Sequence, residues 1–243
     1  MVGPLDFVYL ALFALALPLW DHFVHWPAFR RRSGADHARE RTRLWTAAIR
    51  SLWILVALGA ALWIHHGRSW AALGFGAPTG WRLGVSLGLV LLLAAYTAYA
   101  AAAVARDADA RASVRRQSAS TAELMPHTRA EMRRFAVLSL SAGFCEEFLY
   151  RGYFIWALAP WLGWWGAAAL SLVLFASAHA YQGLEGALRV AVVGLVYTLV
   201  VAFTGSLWPA IALHALVDLN GGLLAWLALR EEAESARSGA ALE

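Results

Sequence analysis

The stretch RLGVSLGLVLLLAAYTAYAAAAV, residues 82–104, carries apolar side chains at every angle around a helical axis and a single charge, at its first position. Such a run has no polar face to turn towards water, so it does not suit the surface helix of a soluble domain. At 1.5 Å per residue it is long enough to cross a hydrocarbon core of about 30 Å. The pattern recurs. Apolar runs occupy approximately residues 5–22, 44–64, 82–104, 135–157, 163–179, 187–203 and 207–229. Backbone groups in lipid must be satisfied within their own segment, which leaves helices for runs of this kind. The reading is an all-α, polytopic transmembrane bundle of about seven spans, or eight if a re-entrant segment is counted.

Composition agrees. Only 15% of the 243 residues are charged, against about 25% in a typical soluble domain. Thirteen tryptophans are present, many near the ends of the apolar runs, where an indole can sit among headgroups. All the basic side chains but the histidines are arginines, and they fall in the loops between spans rather than on one domain face. That distribution speaks for topology and contact with the lipid bilayer, and against nucleic acid as a partner. Six arginines lie between 30 and 43 and seven in 105–134, whereas 158–162 and 204–206 hold no charge. Positive loops stay inside, so the N-terminus is expected outside and the C-terminal tail in the cytoplasm. The lysine-free composition suggests a bacterial inner (plasma) membrane.

The opening MVGPLDFVYL has an acid and no base ahead of its apolar run, so it reads as a retained first span rather than a secretory signal. The terminal Leu242–Glu243 is set aside as a cloning remnant. The single cysteine, Cys145, reads as a small apolar residue filling a helix contact. Four parts follow: a three-span N-terminal part (1–104), a partly ordered cytoplasmic connector (105–134), a four-span part (135–229) and a tail (230–243). Thr128 and Glu131 form a T-x-x-E capping box after Pro126, so the fourth long helix should start near 129.

Inside the spans, charge is expensive: an Asp or Arg at a helix centre costs about 2.5–3.5 kcal/mol on insertion scales. Yet FCEEFLYRG, residues 144–152, places Glu146, Glu147 and Arg151 within six positions, with Glu146 about 16 Å beyond Phe135 along the helix. Glu147 and Arg151 are four apart, with the acid N-terminal, which predicts a structural salt bridge. Glu146 has no cation one turn away on its own helix, and an unpaired intramembrane carboxylate is a functional candidate by default. LFASAHAYQG puts His179 at the end of the fifth run, one turn after Phe175. HALVD puts His214 and Asp218 four apart on one face of the seventh, where Asp218 could orient the imidazole. Arg50, His65, His66 and Arg68 read as boundary residues. Asn220, Gly221 and Gly222 read as a close-packing patch.

EEFLYR fits E-E-x-x-x-R, FASAH fits F-x-x-x-H and HALVD fits H-x-x-x-N/D, in that order on successive apolar segments. In these motifs the region 135–229 resembles the CAAX protease and bacteriocin-processing (CPBP, or Abi) family of intramembrane endopeptidases. The resemblance implies a helical bundle with a cavity open to the cytoplasm and peptide-bond hydrolysis at the bilayer. It implies Glu146 as the general base for water, assisted by His179, with His214 and position 218 facing the developing oxyanion and Glu147 and Arg151 supporting the base. Two of its implications stay open. Asp218 stands where many members have asparagine, and an ionised aspartate cannot donate to an oxyanion. The family has also been described as metalloprotease, and Glu146, His179, His214 and Asp218 are a conceivable zinc set, although H-E-x-x-H is missing. The expectation leans towards no tightly held zinc.

The expected substrate is a membrane-associated peptide or protein tail rather than a prenylated CAAX protein. Two other classes fit less well. A proton-coupled transporter also uses intramembrane Glu and His, but the chain lacks a repeated half with matching broken helices. A non-catalytic immunity or scaffold protein of the same fold would bind partners without needing Glu146.

Overall fold

The computed structural model describes residues 2–32 and 37–240, with side chains for 2–31 and 37–230. Residues 33–36, in the first arginine-rich loop, and 241–243, in the tail, lie outside it. The described chain is all-helical, and the polytopic bundle expected from the apolar runs is what it forms. Seven helices follow one another: α1 (Pro4–Arg31), α2 (His37–His65), α3 (Trp81–Arg106), α4 (Ala108–Ser118), α5 (Arg129–Ala178), α6 (Gly183–Thr204) and α7 (Leu207–Ala240). All except α4 are long and apolar enough to cross a membrane.

The longest, α5, absorbs two of the seven expected spans. It has 50 residues, about 75 Å if straight, more than twice what one crossing needs. Gly163 breaks it, with φ at 66° and ψ at 164°, just beyond Pro160. A positive φ costs glycine nothing and proline cannot donate to the preceding turn, so the apolar run folds back on itself here. Ser171 Oγ donates to the Tyr150 carbonyl at 2.8 Å. That contact, across 21 positions of sequence, requires a hairpin of two antiparallel limbs.

The first limb begins where the capping box predicts. Glu131 N donates to Thr128 Oγ1 (3.2 Å), while Glu131 Oε2 accepts from the backbone of Thr128 (2.9 Å) and His127 (2.8 Å). Its other oxygen takes Arg41 Nη2 at 2.6 Å, fastening the start of α5 to the start of α2. The connector before it is more ordered than its composition suggests. Val114 and Ala110 of α4 pack against Leu223, Leu224 and Leu227 of α7, and Arg115 donates to the Ala228 carbonyl.

Lipid offers no hydrophobic drive between spans, so close packing must hold them together. Tyr9, Phe13, Leu55, Val56, Trp63, Phe148, Tyr153 and Phe154 form the largest buried cluster, where α1 and α2 meet the middle of α5. Cys145 is fully buried there, as expected of an apolar filler. At the opposite end from Arg41–Glu131, Asp6 binds Arg68 through both oxygens, at 2.8 and 2.7 Å, and also accepts the Tyr153 hydroxyl. Arg68, expected at the outer boundary, is thus paired with an acid there. Hydrogen bonding to Asp6 raises its guanidinium above the ordinary arginine range. The outward face of α3 is almost wholly exposed, with Leu83, Leu87, Leu91 and Leu92 bare, as expected of a lipid-facing helix.

Candidate active site

At Glu146 the first limb of α5 changes register. Residues Arg129–Glu146 are α-helical, whereas Glu147–Phe154 wind as a π-helix before the α-helix resumes at Ile155. The wider turn inserts a residue, a distortion found mostly at functional sites. Its consequence is that adjacent glutamates, about 100° apart in a regular helix, both reach the same imidazole.

That imidazole is brought in by a close helix approach. A Cβ added at Gly143 would stand 2.8 Å from the Ala215 nitrogen and 2.9 Å from its Cβ, so only glycine lets α7 come this near. His214, the preceding residue of α7, is thereby set against the glutamates. Its Nδ1 donates to Glu147 Oε1 at 2.8 Å, and its Nε2 lies 3.8 Å from Glu146 Oε2 and 3.7 Å from Asp218 Oδ2. The orienting acid for His214 is thus Glu147, not Asp218. One turn along the helix, Asp218 stops beyond hydrogen-bond length and flanks the opposite nitrogen.

Glu147 also forms the expected pair with Arg151, at 2.9 Å, with both side chains almost wholly buried. Arg151 then donates Nη2 to the Gly194 carbonyl (2.9 Å) and Nε to Thr198 Oγ1 (3.5 Å) on α6. A side chain at Gly194 would meet Arg151 Nη2 at 2.8 Å. The guanidinium lies 4.2 Å from the Phe175 ring centroid, a cation–π contact that suits a charge removed from water. Phe175 in turn sits between the two histidines, with centroids 4.8 Å from His179 and 6.0 Å from His214. His179 closes the second limb, and its Nδ1 must donate to the Phe175 carbonyl (2.8 Å), because a carbonyl only accepts. Nε2 is left as the nitrogen His179 offers to other groups.

The structure therefore gathers Glu146, Glu147, Arg151, His214 and Asp218 into one cluster, with His179 joined to it through Phe175. Oε2 of Glu146 and Oε2 of Glu147 are buried and accept no hydrogen bond from the described residues. Sequence reasoning overlooked the α6 face made by Gly194, Tyr197 and Thr198. The signal was available: small or polar residues at i, i+3 and i+4 in an otherwise apolar run share one helix face. Among the described residues, no three His, Cys, Asp or Glu side chains are grouped so as to hold a metal ion.

The fold and the buried polar cluster define an integral membrane protein with ionisable side chains gathered inside its helices. Residues 129–220 match the family model for Rce1-like proteins, the type II CAAX prenyl endopeptidases. The matched stretch holds all three motifs and is similar to the CAAX-protease family that they resemble. No curated protein and no solved structure matches the chain.

Proposed function

We propose that the protein is an intramembrane endopeptidase that hydrolyses a peptide bond of a membrane-associated peptide or protein. The observation that carries this reading is the asymmetric setting of His214. Glu147 holds one ring nitrogen, while the other is left facing the unpartnered oxygen of Glu146. A 3.8 Å separation is too long for a direct hydrogen bond, so both atoms retain their capacity for reactants.

In this mechanism Glu146 takes a proton from water as its oxygen attacks the scissile carbonyl carbon. His214, as an imidazolium among Glu146, Glu147 and Asp218, keeps its Nδ1–H on Glu147 and donates its Nε2–H to the developing oxyanion. Fixed donors in a water-poor site stabilise such charge better than solvent does. The proton on Glu146 passes to the departing amide nitrogen as the C–N bond breaks, leaving a new carboxylate and a new amine. His179 assists by orienting the water through Nε2. Asp218 flanks His214 and accepts rather than donates when ionised. No step is assigned to a metal.

The arginine-rich ends of α2 and α5 support a cytoplasmic assignment for that side of the bundle, and so an external N-terminus. The lysine-free composition supports a bacterial inner membrane. The test is cleavage of a lipid-anchored reporter peptide in proteoliposomes. Glu146→Gln and His179→Ala should each lose activity while keeping the wild-type elution profile and helical content; full activity in both would refute the assignment.

A further inference from the structure

The α6 face that supports Arg151 carries one polar group with no structural duty. Tyr197 is buried at 3% exposure, and its hydroxyl has no hydrogen-bond partner among the described residues. Buried tyrosine hydroxyls are almost always partnered, because an unmet O–H forfeits its hydration. Its ring needs no hydroxyl. It stacks on His214 with centroids 4.8 Å apart and planes 20° from parallel, and it lies 5.7 Å from the Arg151 guanidinium carbon. Phenylalanine would make both contacts without burying a polar atom.

Most neighbouring donors are committed. Arg151 spends its three kinds of nitrogen on Glu147, Gly194 and Thr198. Thr198 Oγ1 donates to the Gly194 carbonyl at 2.8 Å. Asp218, when ionised, has no proton to give. Beside the imidazolium Nε2–H of His214, the Tyr197 hydroxyl is an O–H donor with no bond to another described residue. The stack on His214 sets Tyr197 at the edge of the same polar cluster.

We propose that the Tyr197 hydroxyl is a second oxyanion donor, hydrogen-bonding the scissile carbonyl oxygen together with His214. This rests on the endopeptidase reading above. It deepens that reading by giving the site the donor that an aspartate at 218 does not supply, and it makes Tyr197 a catalytic residue rather than a packing one.

The experiment compares wild type, Tyr197→Phe, Tyr197→Leu and Glu146→Gln in proteoliposomes, using internally quenched, lipid-anchored peptides that the wild type cuts. A donor engaged only in the transition state lowers kcat and kcat/KM together. Tyr197→Phe should therefore lose about 10²-fold in kcat with KM unchanged, the scale of one missing oxyanion donor. Its thermal midpoint should be unchanged or higher, because the stacked ring remains and the orphan hydroxyl is gone. Tyr197→Leu should lose activity and also stability. The proposal is overturned if Tyr197→Phe keeps kcat within twofold of wild type, if only KM moves, or if only the midpoint falls. A fully active Glu146→Gln, or no peptide cut by the wild type, would overturn the endopeptidase reading itself. An inactive Glu146→Gln beside a fully active Tyr197→Phe would remove Tyr197 alone.

Discussion

Two of the buried carboxylate–arginine pairs that grip α5 differ in what they leave over. At one end of the bundle Asp6 accepts two bonds on each oxygen: Arg68 Nη1 and the Tyr153 hydroxyl on Oδ1, Arg68 Nη2 and the Gly3 amide on Oδ2. Arg68 lies against two aromatic rings, Trp156 at 4.4 Å and Trp63 at 5.4 Å. Deeper along α5, Arg151 likewise contacts two rings, Phe175 and Tyr197, and pairs with Glu147. Here, however, Glu147 places Arg151 and His214 on Oε1 alone, and the Oε2 atoms of Glu146 and Glu147 are left over. A saturated pair fastens helices. An unsaturated one keeps acceptors in reserve, which costs stability and is tolerated where chemistry needs them.

Similar truncations at the two pairs should therefore have unlike consequences. Glu147→Ala should have the largest effect. It strands Arg151, lowering stability by about 3–5 kcal/mol as for other broken buried pairs, and it frees His214 to turn, so activity per folded molecule should also collapse. Midpoints in detergent and turnover normalised to folded protein separate the two effects. Asp6→Ala should cost a similar 3–5 kcal/mol or so, but turnover per folded molecule should stay near wild type. Joint replacement of Asp6 and Arg68 by Leu and Met should recover most of that stability, because no buried charge is then left unpaired. If Asp6→Ala abolished turnover in well-folded protein, the division into structural and chemical pairs would be wrong.

Smaller changes sharpen the contrast. Gly194→Ala pushes a methyl group against Arg151, Leu172 and Phe175, and overpacking of this kind costs about 1–3 kcal/mol. Because Arg151 must shift, turnover should fall as well, visible as a lower kcat at unchanged KM. Thr128→Ala, at the capping box far from the cluster, should cost only about 1 kcal/mol and leave turnover unaltered. A turnover defect there would mean that the start of α5 is coupled to its middle.

How far these features could be read beforehand depended on range. The Thr128–Glu131 box and the Glu147–Arg151 pair lie within one helical turn, so spacing alone gave them. The spans were legible because an all-round apolar run has few alternatives, and Pro160 and Gly163 mark the turn between two of them. Asp6–Arg68–Tyr153 was not legible, since its members lie 62 and 147 positions apart and nothing local links them. The hydrogen-bond partner of His214 was not legible for a related reason. Four-residue spacing favoured Asp218 as the partner of His214, but the π-helical turn, invisible in composition, brings Glu147 to Nδ1 instead. Tyr197 and Gly194 escaped notice because each alone looks like ordinary membrane packing.

The account turns on a glutamate of α5 and an imidazole of α7 cooperating to split an amide with water. Its most direct test uses purified protein in proteoliposomes with a lipid-anchored peptide in ¹⁸O-labelled water, read by mass spectrometry. The expected result is two fragments with ¹⁸O in the newly formed carboxylate, and no fragments with Glu146→Gln. Intact peptide from wild-type protein across a broad set of anchored sequences, or equal cleavage by the Glu146→Gln variant, would contradict it.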